Sequence, residues 1–546
     1  MKSKFLFLFV FLKMTFCGWS QSPTVGVISH SVGSKDDGFV LFAPMQCDTT
    51  YLIDKCGNLI HRWMSGYKPG LATYILNDGA LLRAGNVLNP AFTTGGRGGI
   101  IERIDWNNNV VWSYKISDSL KCQHHDMEMM PNGNILTIVW VKKNHASLIA
   151  AGANTSLIGA DVLSEQIVEL QPLGIDSAKV VWTWNLWDHL VQDYDAGKPN
   201  YGVVSQNPQL FNLNYGMSTN PDWIHLNSID YNPTLDQIII NSRNINEFYV
   251  LDHSTTTAQA ASHTGGIYGK GGDFLYRWGS PMVYNHGTVS DQKLFGQHNV
   301  QWITNTQHHQ NQLLLFNDGN GRTSSPATDY STVEFLTPPV TNGVYNQTLP
   351  YLPAVQDWIY SDTPPTKFYA SYTSGAQLLD NGNILICNGP AGYFFEIDTL
   401  KNKVWEYVNP VATTITTQGN SSNQNNTFRC NFYESSYAGF VGKDVTPGLP
   451  IEANPINNGC TLNTGILQFE KDNAFKIYPN PTSGVINVQS NITNYRFTIY
   501  DAYGKKIYTA QNTTRYNLEP LVAGVYNIQI LTSDGKLFNN KIIVAK

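Results

Sequence analysis

Short apolar strands alternate with small polar turns along most of the chain. One unit recurs six times: an apolar strand, a polar turn, and a second apolar strand that ends in tryptophan. The copies end at Trp63, Trp112, Trp182, Trp278, Trp358 and Trp405. Strand–turn–strand units repeated in this way are typical of stacked blades, so the pattern predicts an all-β chain with a six-bladed β-propeller. The uneven spacing of the tryptophans predicts the largest insertions before Trp278 and Trp358.

A second strand–turn–strand pattern lies between these copies. Its turns include Asp78-Gly79, Asn132-Gly133 and Asn381-Gly382. Asn, Asp and Gly tolerate positive φ, which favours two-residue hairpin loops at these places.

Changes in composition divide the chain into four predicted segments. Residues 1–20 are a signal peptide and residues 21–410 form the propeller. Residues 411–472 are rich in Asn, Thr and Gly, and are predicted to be loops that close the ring and then a linker. Short alternating strands fill residues 473–546, which predicts a small Ig-like β-sandwich.

The first residues have the pattern of a secretory signal. Two lysines precede an unbroken apolar run at residues 5–12, which is too short to span a membrane. Cleavage is predicted near Ser20. Cys17 offers lipid attachment as an alternative, but the bulky Phe16 stands where a small residue is needed. No later segment has 18 consecutive apolar residues, so no transmembrane segment is expected after signal removal.

Charge and cysteine content narrow the partners and the compartment. The net charge is −6 and no basic run is present, so a nucleic-acid partner is not expected. Removal of the signal leaves an even number of cysteines, which permits disulfides in an oxidising compartment. Cys47 and Cys56 flank one short hairpin and are the predicted pair, with Cys430 and Cys460 as a second possibility. None has zinc-binding spacing.

Residues at equal distances before the hairpin turns are candidates for one functional site. Counting back seven residues from Asn132, Asn232, Asn305 and Asn381 reaches, in the same order, His125, His225, His298 and Ser374. The innermost strand of each propeller blade lines the central axis, so equal offsets from equivalent turns place residues at equal height. The three histidines are therefore predicted to converge on one mouth of the channel.

Two further polar residues belong to this predicted pocket. Asn227 lies two residues after His225, and Arg243 returns beside it on the next strand. An arginine repels a metal ion and binds oxyanions, so no metal is expected there. The sequence has no Gly-rich phosphate loop followed by a lysine, so no cofactor is expected. A neutral imidazole can act as a nucleophile, and Arg, Asn and a second His can stabilise negative oxygens. The pocket therefore suits transfer of an oxyanionic group, with another histidine exchanging a proton with a phenol-type oxygen.

At these residues the chain resembles the PAPS-independent aryl-sulfate sulfotransferases, which are exported bacterial six-bladed propellers. The resemblance covers roughly residues 36–410. It rests on His124-His125-Asp126, Asp222-Trp223-Ile224-His225-Leu226-Asn227-Ser228, Ser242-Arg243-Asn244, Arg277-Trp278-Gly279, Gln297-His298-Asn299, Phe316-Asn317-Asp318-Gly319-Asn320 and Gly375-Ala376-Gln377.

The resemblance implies a role for each pocket residue. His298 matches the nucleophile that becomes sulfated, and three residues match those that hold the sulfuryl oxygens: His225, Asn227 and Arg243. His125, or alternatively His124, matches the remaining pocket histidine and is a candidate acid–base group. The family also uses a late hydroxyl residue, for which Ser374 and its neighbour Thr373 are both candidates.

The C-terminal segment resembles the type A sorting domain of the type IX secretion system of Bacteroidetes. The resemblance rests on Tyr478-Pro479-Asn480-Pro481-Thr482-Ser483-Gly484, Tyr500-Asp501-Ala502-Tyr503-Gly504-Lys505 and Leu521-Val522-Ala523-Gly524-Val525-Tyr526. It implies that the type IX machinery is a partner through residues 473–546. The expected location is outside the cell or on its surface, reached by Sec export and then type IX secretion.

These observations predict a secreted aryl-sulfate sulfotransferase that acts on a small-molecule aryl sulfate and a phenolic acceptor. An aryl sulfate hydrolase, with water as acceptor, is one alternative. A non-catalytic propeller that binds glycans or other ligands is another, but it would need aromatic shelves more than aligned histidines.

Overall fold

The computed structural model describes residues 22–159, 161–303, 308–456, 460, 462, 475–490, 492–500, 506–532 and 537–545. The predicted signal peptide, residues 1–20, and the turn residue Asn305 lie outside these ranges. The chain divides into two compact units, Met1–Thr461 and Leu462–Lys546.

The strands of the first unit are β1 Gly26–His30, β2 Gly38–Pro44, β3 Thr49–Ile53, β4 Leu59–Met64, β5 Pro69–Ile75, β6 Leu81–Asn86, β7 Gly99–Ile104, β8 Val110–Lys115, β9 Lys121–Met129, β10 Ile135–Asn144, β11 Asp161–Leu173, β12 Ser177–Asn185, β13 Leu190–Val191, β14 Phe211–Asn212, β15 Leu226–Asn232, β16 Gln237–Ser242, β17 Glu247–Asp252, β18 Tyr276–Trp278, β19 His298–Trp302, β20 Leu313–Asn317, β21 Thr332–Leu336, β22 Val340–Thr341, β23 Val344–Tyr345, β24 Trp358–Tyr360, β25 Gly375–Leu378, β26 Ile384–Asn388, β27 Tyr393–Ile397, β28 Lys403–Val408 and β29 Thr427–Glu434. The helices α1 His145–Ala151 and α2 Thr257–Ala260 lie between strands. Single 3₁₀ turns occupy Leu186–Asp188, Val204–Gln206, Pro281–Tyr284, Val289–Asp291, Pro326–Thr328, Pro365–Lys367 and Ala438–Phe440.

Six antiparallel sheets of the first unit, counted over its described residues, are the blades of a propeller. From the axis outwards they are β29-β2-β3-β4, β5-β6-β7-β8, β9-β10-β11-β12, β15-β16-β17-β18, β19-β20-β21-β24 and β25-β26-β27-β28, the last extended at its outer edge by β1. The second strands β16 and β20 are rich in Ile and Leu, respectively, and are buried along their whole length. Apolar clusters fill the space between neighbouring blades, which confirms the predicted propeller.

The ring is closed by the strand that comes last in the first unit. Thr427–Glu434 pairs with Gly38–Pro44 and forms the innermost strand of the blade that otherwise contains β2, β3 and β4. This strand lies inside the stretch expected to be loops and linker. Composition alone does not predict this strand, because its sequence contains Asn and Thr although the four residues Thr427 to Cys430 are all buried.

The six repeated tryptophans occupy the fourth strand from the axis in each of the six blades. Several reach across to the next blade. The indole N–H of Trp112 donates to the carbonyl of Ser177 over 2.9 Å, and that of Trp405 donates to the carbonyl of Lys55 over 2.7 Å. The repeat therefore marks a joint between blades as well as a strand within each blade.

The Gly-containing turns are one residue longer than predicted. In the first of them, Leu76 pairs with Ala80, so the loop has three residues and Gly79 takes φ +84°. The turn at Gly133 is closed in the same way, with φ +85°. A three-residue loop built on a type I turn needs a left-handed residue at its third position, and glycine adopts it without strain.

The disulfide differs from both predicted pairs. Cys56 is bonded to Cys460, with Cα atoms 5.7 Å apart, while Cys47 and Cys430 are free thiols. The prediction that Cys47 pairs with Cys56 is therefore wrong. Closeness in sequence suggested that pair, whereas the fold returns a residue 404 positions later to the β3–β4 turn.

The second unit has the two sheets of a small sandwich. Its strands are β30 Lys476–Tyr478, β31 Val485–Gln489, β32 Tyr495–Tyr500, β33 Lys506–Gln511, β34 Arg515–Asn517, β35 Gly524–Thr532 and β36 Leu537–Val544. They pair in the orders β30-β31-β34 and β33-β32-β35-β36. Alternate residues such as Phe497, Ile528 and Ile530 are buried between the sheets, as the predicted strand alternation requires.

Candidate functional site

A backbone irregularity recurs on the inner strands at the level of the predicted pocket. Leu71, His125, His225 and Ser374 have φ values of 94°, 51°, 56° and 84°, and on β19 the equivalent residue is Asn299, at 52°. Non-glycine residues adopt this region at a cost and usually where surrounding structure imposes it. The irregularity redirects side chains at one mouth of the channel, where the rings of His125 and His225 lie 4.5 Å apart.

Fixed partners determine the tautomer of His298. The backbone N–H of Thr373 donates to its Nε2 over 3.2 Å, so Nε2 carries a lone pair. Its Nδ1 lies 3.1 Å from the carbonyl of Gly296 and 3.0 Å from the carboxyl group of Asp318. A carbonyl oxygen only accepts, so the proton sits on Nδ1. The ring thus presents a nucleophilic nitrogen at Nε2.

His298 is neutral at neutral pH. Burial lowers its pKa well below the usual histidine value, and the positive charge of Arg243 and the proximity of His225 lower it further. Burial also raises the pKa of Asp318 well above that of an ordinary carboxyl group, although Arg243 opposes this shift.

A chain of three buried groups leads away from His125. Its Nδ1 lies 2.8 Å from Nδ1 of His124, and Nε2 of His124 lies 2.9 Å from a carboxyl oxygen of Glu165. Burial lowers the pKa of both histidines well below the usual histidine value. It raises the pKa of Glu165 well above that of an ordinary carboxyl group. In each of these contacts the shared proton can lie on either partner, so the chain can hold a proton at Glu165 or at His125.

His225 is held by a carboxylate from the preceding loop. Its Nδ1 lies 2.6 Å from Asp222, and its carbonyl accepts from the backbone N–H of Arg243 over 3.1 Å. His225 therefore has a fixed ring orientation beside His125, and Arg243 directly follows the adjacent strand β16.

The guanidinium group of Arg243 reaches the last blade of the ring. It donates to Oδ1 of Asn244 over 3.1 Å and to the carbonyl of Ser371 over 3.2 Å. Ser371 precedes the segment that holds Thr373, so the arginine and the backbone donor to His298 border the same space.

Asn227 and Ser374 are more enclosed than the sequence suggests. Asn227 is the residue at a β-bulge, and its amide donates to the carbonyl of Gln297 and accepts from Asn241. The hydroxyl oxygen of Ser374 accepts from the backbone N–H of Gly389 over 3.0 Å. Both side chains thus hold neighbouring backbone segments, and their expected contact with substrate stays a prediction.

Sequence reasoning missed the pocket residues that β29 supplies. The ring of Phe428 contacts both His125 and His298, at centroid distances of 6.2 and 6.4 Å. Arg429 forms an ion pair with Asp126 over 2.8 Å. The only sequence signal for this strand is its short apolar alternation within the Asn- and Thr-rich stretch.

A cavity of about 1050 Å³ lies apart from these histidines. Trp112, Glu128 and Tyr433 are among its lining residues, and none of the predicted site residues is. The residues around His125, His225 and His298 that suit group transfer therefore lie outside this cavity.

Comparison with known families agrees with this division of the chain. The family model for arylsulfotransferases matches residues 29–435, and that for the secretion system C-terminal sorting domain matches residues 476–545. The sorting domain indicates a protein that is secreted or displayed at the cell surface. Among the described residues, no helix combines the length and apolarity needed to cross a bilayer. No curated protein matches the chain.

Solved structures show only distant similarity. A protein of unknown function from Bacteroides caccae has 10% sequence identity and a TM-score of 0.40, with 72% of this chain and 98% of that chain covered. Virginiamycin B lyase from Staphylococcus aureus has 10% identity and a TM-score of 0.31, with coverage of 70% and 87%. These likenesses are too weak to carry a functional argument.

Proposed function

The chain belongs to the arylsulfotransferase family, and we propose that it transfers a sulfuryl group from an aryl sulfate to a phenol through a sulfated His298. The observation that carries this proposal is the fixed tautomer of His298. A neutral ring with its Nδ1 proton held by Gly296 and Asp318 offers Nε2 as a nucleophile without any prior proton transfer.

In the first half-reaction, the Nε2 lone pair of His298 attacks sulfur. The N–S bond forms as the bond between sulfur and the aryl oxygen breaks, and the electron pair leaves on that oxygen. His125 supplies the proton that converts the leaving phenolate to a phenol. Sulfation places positive charge on the imidazole ring, which the carboxyl group of Asp318 stabilises at Nδ1.

Two positive or hydrogen-donating groups stabilise the sulfuryl oxygens. Arg243 supplies a charge that lies close enough to lower the pKa of His298. The backbone N–H of Thr373 loses its acceptor when Nε2 bonds to sulfur, and then donates to a sulfuryl oxygen. Donors fixed before the reaction need no reorganisation as charge develops.

The second half-reaction reverses these steps. The acceptor phenol passes its proton to His125 as its oxygen attacks sulfur, and the N–S electron pair returns to His298. Glu165 and His124 can take up or return that proton, because the three groups form one continuous hydrogen-bonded chain.

The decisive experiment measures phenol release from 4-nitrophenyl sulfate with and without an added phenol acceptor. Acceptor-dependent release is expected, together with a sulfated peptide containing His298 in the quenched enzyme. His298→Ala should abolish both signals, whereas the exposed His145→Ala should retain them. Release that ignores the acceptor would indicate a hydrolase, and no release from folded enzyme across several aryl sulfates would favour a binding propeller.

A further inference from the structure

A second group of polar side chains lies outside the pocket. His189 follows β12, while His263 and Asp273 belong to the connection between β17 and β18. One carboxylate oxygen of Asp273 is 2.8 Å from Nδ1 of His189 and 2.7 Å from Nδ1 of His263. A possible ligand atom from each residue lies within 4.8 Å of the others.

The backbone fixes the orientation of His189. Its Nε2 lies 2.8 Å from the carbonyl of Ala260, which can only accept, so Nε2 carries a proton. Nδ1 is then the ring atom that faces the carboxylate oxygen of Asp273. Metal-binding histidines typically have this arrangement, with the second ring nitrogen donating to a carbonyl.

The buried side of the group is rigid. The Trp184 ring lies parallel to that of His189, with an interplanar angle of 2°, and its N–H donates to the carbonyl of Gly272 over 2.7 Å. A Cβ atom at Gly272 would approach Nε2 of His189 to 2.5 Å, so this position has room only for glycine. The ring of His189 is therefore enclosed before any ligand binds.

The opposite side is adaptable and faces solvent. The side chain of His263 is 59% exposed. The residues that follow it include four glycines with positive φ: Gly265, Gly266, Gly269 and Gly271. Small adjustments of this loop can widen the two contacts of Asp273 from hydrogen-bond to metal–ligand geometry, and a water can occupy a remaining position.

We propose that His189, His263 and Asp273 form a zinc site completed by water. The ligands are Nδ1 of each histidine and a carboxylate oxygen of Asp273, a set that matches the preference of Zn²⁺ for imidazole and carboxylate in tetrahedral geometry. The ion joins the β17–β18 connection to the segment after β12. It stabilises the fold and takes no part in the sulfuryl transfer proposed above.

Zinc binding to the full, tag-free chain tests this site. After chelator treatment and dialysis against Zn²⁺, one bound ion per chain with submicromolar affinity is expected, together with a higher Tm. His263→Ala removes an exposed ligand and should weaken zinc affinity more than about 100-fold, since loss of an outer-shell partner alone costs about 10- to 100-fold. The exposed His145→Ala is the matched control and should bind as the native chain does. Equal zinc affinity in His263→Ala, or no stoichiometric zinc in the native chain, would overturn the proposal.

Discussion

The backbone N–H of Thr373 donates to Nε2 of His298, the nitrogen proposed to attack sulfur. Thr373 has φ +57°, an unusual conformation for a β-branched residue. The strained backbone therefore aims a donor at the nucleophile, and this donor keeps the lone pair on Nε2 until substrate displaces the hydrogen bond.

Asp318 is expected to stabilise the charge that sulfation places on His298. Asp318→Asn should lower kcat about 10²- to 10⁴-fold, because an amide cannot neutralise a cationic ring. KM for 4-nitrophenyl sulfate should change little. Stopped-flow measurement of the first turnover checks this.

A control for that substitution is Asp362→Asn. Asp362 pairs with Lys403 away from the pocket, so its loss should leave the kinetics near those of the native enzyme. An equal loss of activity in both variants would contradict a specific role for Asp318.

The chain from His125 to Glu165 predicts a dependence on the leaving group. Glu165→Gln should slow turnover of unsubstituted phenyl sulfate about 10-fold or more. The phenol released from this substrate has a pKa of about 10, so its phenolate needs a proton to leave. Turnover of 4-nitrophenyl sulfate should change less than about 3-fold, because the nitrophenolate leaves more easily. A uniform loss across leaving groups would show that Glu165 is only structural. The check is a plot of rate against leaving-group pKa.

The acid side of the pH–rate profile reports on His298. The nucleophile is active when deprotonated, and burial lowers its pKa well below the usual value of about 6.5. Lowering the pH through 6.5 should therefore leave the rate of His298 sulfation by 4-nitrophenyl sulfate nearly unchanged, and the rate should fall only at more acidic pH. A fall centred near pH 6.5 would mean that His298 is not shielded.

The disulfide can be tested by substituting one of its cysteines. Cys56→Ser should lower the free energy of unfolding by about 2–5 kcal/mol, because the bond closes a very long loop. Cys47→Ser is the matched control, since Cys47 is a free thiol in the same region, and it should have little effect. Urea unfolding and mobility on non-reducing gels measure the two outcomes, and equal destabilisation would argue against the Cys56–Cys460 bond.

Much of the fold and the histidine set could be predicted because both depend on local repetition. The tryptophans recur once per blade, and the turn residues set the height of His125 and His225 along the axis. At Asn227 the same local argument assumes strict alternation from His225, but the bulge between Leu226 and Ser228 interrupts that alternation.

The supporting groups could not be predicted because their partners are distant in sequence. His124 meets Glu165 across 41 residues, and Asp126 meets Arg429 across 303 residues. No periodic pattern relates such positions. A signal did exist for Asp222, which lies only three residues before His225.

Because β29 comes late in the chain, the pocket is complete only after this strand has been synthesised. A nascent or truncated chain that ends before Thr427 contains every histidine of the pocket, yet it lacks Phe428 and Arg429. It also leaves one edge of the strand Gly38–Pro44 without its partner, although every residue of this strand is buried in the complete fold. Such an exposed edge is a template for association with other chains. Incomplete translation products are thus prone to aggregate, and only a chain made through residue 434 has a closed ring to present outside the cell.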